Sequence, residues 1–532
     1  MPPLAPTLRR TLEKKIVEAR EAAESAAEAA IKALAVHERE PYPSLTEDER
    51  RLRRALRAKA RQLGTDPERG LVPLVEECAY GVWHRMLFAR YLAENGLLMH
   101  PDYEGVSVTL EDCAELAREE GDPDAWATAS RYASTMLPGI FRPEDPTTEV
   151  RLFPEGRRAL ERALDGIPPP AFASDDGIGW VYQFWQTKAK KEVNASGRKI
   201  GGHDLPAVTQ LFTEDYMVKF LLHNSLGAWW TARYPDSPIL KDLEYLRRKE
   251  DGTPAAGTFD GWPETAAEVT VMDPCCGSGH FLSAAADLLA RMRAEEEDLS
   301  EAEAADAVLR DNLFGLELDA RCTQIAAFSL ALWAWRRGGY RDLPVPNVAC
   351  SGIPAGGRPE EWMSLARGDY RLENALRRLH SMFRDAPDLG SLIDPSRVAE
   401  GRAFSRTGTT EMDVAGIEEV EDLLEKAVGR ERNGGDPASA VFGGAARGIA
   451  RAASFLRRRY TLVATNVPYL ARGKQGDVLK DHLETYYPAG KADLATAFVL
   501  RCADYTAPGG SYALVTPQNW LFLGTYKKLR ER

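Results

Sequence analysis

Apolar positions recur along this chain with two different periods. From Val72 to Leu98 they fall at helical spacing (Val75, Cys78, Val82, Trp83, Met86, Leu87, Tyr91, Leu92). The pattern stops at Asn95-Gly96, which predicts a core helix with a C-cap, in which Trp83, His84 and Arg85 are packing residues. Residues 8–37, rich in Ala, Glu, Lys and Arg, predict a long solvent-facing helix. Pro41 and Pro43 end it, and Ser44 or Thr46 can cap a following helix that carries Arg50, Arg51, Arg53, Arg54, Arg57, Lys59 and Arg61. That basic run reads as a solvated face, with a phosphate-tracking helix as the alternative.

After residue 170 the pattern changes. Short apolar, β-branched runs at Glu268–Met272, Asn312–Leu318, Val345–Cys350, Tyr460–Thr465 and Ser511–Thr516 predict strands. Helical stretches at Phe281–Arg293, Ala320–Arg337 and Ala492–Tyr505 separate them. Strands alternating with helices imply an α/β fold with a doubly wound, Rossmann-like parallel sheet. The expected division is an α-helical domain over 1–170 and a sheet domain over 171–532. An insertion is expected at about 353–459, where Gly434-Gly435, Gly443-Gly444 and an acidic run from Glu418 to Glu425 break the rhythm.

Between the two parts, Gly179-Trp-Val-Tyr-Gln-Phe-Trp185 is followed by Lys188, Lys190, Lys191, Arg198 and Lys199. Aromatics interleaved with cations can bind nucleic acid, and a helix packing on the next domain reads equally well. Thr213 is placed to cap a helix running through Leu222, whose free N-terminal amides could meet a carboxylate.

The 532 residues include 44% hydrophobic and 28% charged positions, an ordinary balance for a folded chain of several domains. No apolar run approaches a membrane span, and the N-terminus lacks a signal-peptide core, so a cytoplasmic location is expected. Seven cysteines without a Cys-x-x-Cys pair and eight scattered histidines predict neither disulfides nor a structural metal. The net charge of −12 argues against coating nucleic acid broadly but leaves room for a local basic patch.

Two segments carry the chemistry. Asp273-Pro-Cys-Cys-Gly-Ser-Gly-His-Phe281 follows the first strand, where Gly277 and Gly279 permit positive φ and close approach of a ligand to bare backbone. With Cys275 in the same loop, it suits an adenosyl cofactor. Asp273 could hold the cofactor's ammonium, directly or through water, and Phe281 could wall the pocket. The second strand ends Gly315-Leu-Glu-Leu-Asp319; Glu317 is placed for ribose hydroxyls, and Asp319 either joins it or caps the next helix. At the third strand Ser351 offers only a weak contact for an adenine amine, and a plain turn is the simpler reading. Asn466-Val-Pro-Tyr469 follows the fourth strand. The Asn466 side-chain oxygen and the Val467 carbonyl could accept both N–H bonds of a flat, poorly nucleophilic amine and free its lone pair for attack on a sulfonium methyl. Pro468 shapes that turn, and Tyr469 could stack on a base flipped from the duplex. The constellation reads as a methyltransferase using S-adenosylmethionine on the exocyclic amine of adenine in double-stranded DNA.

The order of cofactor loop, acidic second strand and Asn-x-Pro-Tyr resembles the gamma-class adenine-N6 DNA methyltransferases. Tyr182-Gln-Phe-Trp185, Leu205-Pro-Ala-Val-Thr-Gln-Leu-Phe-Thr213 and Asp273 to Leu282 resemble the PglX-type enzymes of BREX phage defence. Thr465 to Gln475 is similar to DrmMI, the related methylase of DISARM. The resemblance spans roughly residues 70–532. It implies host-DNA methylation that marks self, and contact of Thr213 to Tyr216 with the methionine end of the cofactor. Val467 departs from the family's usual first proline, and Glu214 stands where a proline is common. The chain stops soon after the fifth strand signal, where the family continues with a last hairpin and a target-recognition part. A further portion or other defence-system subunits are therefore expected as partners. Two other readings stay open: a protein-glutamine methyltransferase, and a non-catalytic cofactor-binding subunit.

Overall fold

In the computed structural model, residues 4–64, 67–174, 177–209, 213–366, 368–396 and 437–532 are described. They form two units: one from the described residues of 1–188, 354–384 and 407–451, the other from those of 189–353, 385–406 and 452–532. The acidic run 418–425 and Gly434-Gly435 lie outside the described residues.

In the first unit, α1 spans Pro6–Ala33, α2 Glu47–Leu63 and α3 Pro67–Glu94. Helix α1 is not the solvent-facing rod its composition suggests. Leu12, Ile16, Ala19, Ala23, Ala26, Ala27, Ala30 and Ile31 form a buried stripe. Alanine carries too little apolar surface to announce such a stripe, yet it lets helices approach closely. At Gly156, on the helix Pro154–Asp165, an added Cβ would lie 2.5 Å from Ala26 Cβ.

Thr46 caps α2 through a reciprocal pair, with its Oγ1 accepting from Glu49 N (3.3 Å) and Glu49 Oε2 accepting from Thr46 N (2.8 Å). Part of the basic run on α2 points inward, against both readings from sequence. Arg53 donates to the carbonyls of Ala35 (2.9 Å) and Glu38 (2.7 Å), and Arg57 to that of Val36 (2.8 Å). These carbonyls belong to the turn just beyond the end of α1. Lys59 sits 2.9 Å from both Glu77 and Asp145; burial alone would raise the Asp145 carboxyl, but this ammonium and the Thr147 hydrogen bonds hold it down at about 2.

On α3, Trp83 is fully buried and stacks on Trp185 at 4.2 Å, while burial pushes His84 down to about 3. The aromatic run lies on the helix Gly177–Trp185 within this unit, its rings buried. Arg9 covers Trp180 at 3.3 Å, so these rings serve packing rather than base stacking.

The second unit holds five parallel strands: β1 Val271–Asp273, β2 Leu313–Glu317, β3 Val348–Cys350, β4 Tyr460–Asn466 and β5 Thr506–Val515. Their order is β3-β2-β1-β4-β5. β1 pairs with β2 on one side (Asp273 opposite Gly315) and with β4 on the other (Met272 opposite Val463). The order therefore reverses between β1 and β4, the place where an open parallel sheet forms a ligand crevice at its carboxyl edge. Helices α4 (His280–Glu297) and α5 (Ala320–Gly338) pack against the sheet around Leu282, Ala285, Leu289, Ala326 and Leu330; α6 is Leu494–Tyr505. Asn312 fixes the strand entrances: its fully buried amide donates to the carbonyls of Ala266 (2.8 Å) and Val269 (2.7 Å) and accepts from Arg293 (3.2 Å).

Within the interval 353–459, residues 385–396 belong to the sheet unit. Gly443-Gly444 is no loop; it lies inside the helix Pro437–Arg457, whose buried Phe442, Ala446, Ile449, Ala450 and Ala453 supply the packing that outweighs two glycines. Among the described residues no helix is long and apolar enough to cross a membrane.

Candidate active site

The turn after β1 is built as its glycines suggest. Gly277 and Gly279 have φ of +51° and +85°. Asp273 is 1% exposed, and its Oδ1 accepts from Cys275 N at 3.1 Å, which tightens the turn at its root. Gly279 then starts α4, and an added Cβ would come within 3.1 Å of Ala326, so this glycine serves the contact between α4 and α5. Phe281 is not among the residues that line the cleft described below. It shares the face of α4 that carries Ala285 and Leu289 and is buried in the core with them.

At the end of β2, Glu317 Oε2 accepts from Gly277 N (2.8 Å), and Oε1 from Leu318 N (2.9 Å) and Asp319 N (3.2 Å). A carboxylate has about four acceptor positions, so about one remains for a sugar hydroxyl rather than the two needed for both hydroxyls of a ribose. Burial pushes both Asp273 and Glu317 up to about 7. Asp319 takes the other role open to it: it caps α5, accepting from Arg321 N at 2.9 Å, with the Arg321 guanidinium 2.7 Å from its other oxygen. Ser351 is a turn residue, its hydroxyl 3.1 Å from that of Ser391.

At the end of β4, Asn466 Nδ2 donates to Thr213 Oγ1 (3.0 Å), and Asn466 Oδ1 accepts from the Tyr469 hydroxyl (2.8 Å). Thr213 is therefore not the helix cap. Helix Asp215–His223 begins two residues later with Glu214 at the N-cap position, and the buried threonine faces Asn466 instead. The loop is held from beyond by Asp493, which caps α6 through Ala495 N (2.9 Å) and accepts from Leu470 N (3.3 Å).

Cys275, Gly277, Glu317, Asn466, Val467 and Pro468 line one cleft. Thr213 and Tyr469 hydrogen-bond Asn466, and Asp273 hydrogen-bonds Cys275. Two further contributors were not expected. The strap Asp388–Leu392 lines the cleft from within the supposed insertion, and Leu494 and Phe498 line it from α6. Nothing short-range marks the strap except Gly390, whose φ of +48° and close approach to Leu318 admit no side chain (an added Cβ would be 2.7 Å away).

A five-stranded parallel sheet of this order, with a glycine turn after β1, an acid ending β2 and Asn-Val-Pro-Tyr after β4 around one crevice, is a Rossmann-like methyltransferase fold. Residues 311–532 match the Eco57I restriction-modification methylase family. The chain is similar to the adenine-specific methyltransferase PglX of Lacticaseibacillus casei (strain Zhang), at 27% identity over 547 residues, covering 92% of this chain and 43% of that protein. It is likewise similar to the adenine-specific methyltransferase BrxX of Escherichia coli O9:H4 (strain HS), at 27% identity over 529 residues, covering 87% of this chain and 41% of that one. The chain thus spans less than half the length of these relatives, and the resemblance to PglX-type enzymes stands. Among solved structures, a cryoEM structure of a DrdV–DNA complex matches at 13% identity and a TM-score of 0.44, over 99% of this chain and 38% of that one.

Proposed function

We propose that this chain binds S-adenosylmethionine in the cleft and directs methyl transfer to the exocyclic N6 amine of adenine in double-stranded DNA. The observation that carries the reading is the convergence of Glu317 with the Gly277 turn, and of Asn466 with Val467, on one cleft at the switch point of the sheet. Both sides fit their ligands. Gly277 presents backbone without a side chain, and Glu317 is held by three amides with an acceptor position to spare. When bound, the cofactor supplies a methyl group already activated by positive sulfur.

The protein's own contribution is orientation and electrostatics. Asn466 Oδ1 and the Val467 carbonyl take the amine's N–H bonds. Thr213 and Tyr469 fix the Asn466 amide from its two ends, and the Tyr469 ring offers stacking worth about 1–3 kcal/mol toward the cost of flipping the base. The relatives' names support adenine as the target, and their BREX-type naming supports a host-marking role in phage defence. With a net charge of −12, sequence readout is assigned to another defence-system subunit or recognition portion acting with this chain in the cytoplasm.

The test is to incubate the purified chain, alone and with neighbouring defence proteins, with methyl-labelled cofactor and unmethylated genomic DNA, then separate the nucleosides. Label in N6-methyladenine is the expected result. Label in cytosine or in protein would overturn the substrate, and no cofactor binding at all would overturn the site.

A further inference from the structure

Arg501 is a buried cation that the reading above leaves unused. It sits on α6, one turn beyond the cleft-lining Phe498, and is 2% exposed. Its Nε donates to Ser391 O (3.1 Å), and its Nη2 to Ile393 O (2.7 Å) and Leu456 O (2.8 Å), while Nη1 lies 3.3 Å from Asp394. The Tyr505 hydroxyl donates to the same Ser391 carbonyl at 2.7 Å, and its ring lies 4.0 Å beneath the guanidinium.

One general consideration and two observations separate this cluster from ordinary core filling. Burying a guanidinium is costly, and a well-packed apolar group of similar volume usually serves stability as well or better, so retention asks for another reason. Two of the carbonyls that Arg501 holds belong to a single 3-10 turn, Gly390–Leu392, and the Ile393 that ends it, which has no strand ladder to fix it. That backbone continues the strap Asp388–Leu392, every residue of which lines the cleft. The strap is also tied at Asp388, which accepts from Gly202 N (2.9 Å), and at the Ser391 hydroxyl, 3.1 Å from that of Ser351. Arg501 and Tyr505 hold its backbone directly.

We propose that Arg501 is a positioning residue for the cofactor side of the cleft: through the Ser391 and Ile393 carbonyls it sets the strap 388–392 at the separation from Glu317 and Leu318 that an adenosyl group occupies. This rests on the reading that the cleft takes such a cofactor. Tyr505 assists through the carbonyl it shares, and neither side chain touches the ligand.

The experiment compares the full chain with Arg501→Met, Arg501→Lys and Tyr505→Phe, each shown to be folded by circular dichroism at the assay temperature. Calorimetry gives the Kd for S-adenosylmethionine and S-adenosylhomocysteine, and steady-state kinetics give kcat at saturating cofactor and KM for DNA. Arg501→Met is expected to raise the cofactor Kd about tenfold or more, because several strap contacts go at once. Arg501→Lys should be intermediate. Tyr505→Phe, which deletes one donor to one carbonyl, should raise Kd by about two- to tenfold. In all three, kcat and the DNA KM should stay within about twofold of wild type, a split that general loss of stability does not produce. Cofactor Kd values unchanged in the folded variants, or parallel damage to kcat and DNA KM, would overturn the proposal. Should Arg501→Met not fold, Arg501→Lys and Tyr505→Phe decide it. Failure of the wild-type chain itself to bind either ligand would instead bring down the proposed function, and this inference with it.

Discussion

Thr213→Val is the substitution that most directly tests how Asn466 is held. Valine is close to threonine in shape, so packing at this 7%-exposed position is largely kept and the acceptor alone disappears. Asn466 Nδ2 then loses its 3.0 Å partner, while Oδ1 keeps the Tyr469 hydroxyl at 2.8 Å. A donor left without a partner in a buried place costs about 1–3 kcal/mol. The amide escapes that cost by rotating toward another acceptor, which carries Oδ1 away from the target amine. If the whole penalty falls on the transition state, kcat drops by roughly 5- to 150-fold. Thr213→Ser keeps the hydroxyl and should stay within about threefold of wild type on the same scale. Single-turnover transfer of labelled methyl to DNA, with cofactor Kd measured separately by calorimetry, gives both quantities. The sequence resemblance instead places Thr213 against the methionine end of the cofactor. A Thr213→Val protein with normal turnover and weakened cofactor binding would favour that role and refute the orientation argument.

Gly277→Val should abolish cofactor binding in a folded protein, since it strains a φ of +51° at a residue that lines the cleft; undiminished binding by calorimetry would remove this loop from the site. Asn466→Ala should bind cofactor normally yet transfer no methyl, because one acceptor for the amine is gone; near-normal labelling of adenine would show that another group does the work. Asp273 and Glu317, raised by burial to about 7, are protonated in the folded ligand-free protein between about pH 4.5 and 7 but ionised when unfolded. The folded state therefore binds more protons there, and stability should fall by on the order of a few kcal/mol as pH rises from about 4.5 to 7, levelling off above. Urea melts from pH 5 to 8 should show that fall, and show it reduced in Asp273→Asn/Glu317→Gln. Asn312→Ala should cost about 1–3 kcal/mol by removing the donor to the buried Val269 carbonyl and one partner each from Ala266 O and Arg293, read as a lower urea midpoint at unchanged slope.

Much of the sheet unit was legible before the structure because its signals are local. A β-branched run followed by glycine or Asn-x-Pro specifies a strand and the turn that ends it within about ten residues. Those signals located all five strands and the two loops that meet in the cleft. What escaped was long-range. Nothing near residue 390 says that the strap returns to the sheet, since its partners Ser351, Tyr487 and Arg501 are far away in the chain. Phe281 was misplaced because one helical residue can face either core or cleft, and only the neighbouring elements decide. Helix α1 misled by composition: its alanines register as neutral, and Arg20 looks like surface until Glu24 and the Trp185 carbonyl are seen around it.

The cleft draws its walls from residues between Leu205 and Phe498. This scatter sets an order of assembly on the ribosome. At about 5–20 residues per second, the roughly 190 residues between Gly277 and Asn466 take on the order of ten to forty seconds to appear. During that interval the glycine turn and Glu317 exist without the β4 loop, and the strap without its Arg501 clamp. A nascent chain that ends before β4 thus carries the Gly277 turn and Glu317 without the Asn466–Tyr469 loop that the proposed reaction requires. Leu494 and Phe498 of α6 are the last walls of the cleft to be made, and β5 follows them in the chain.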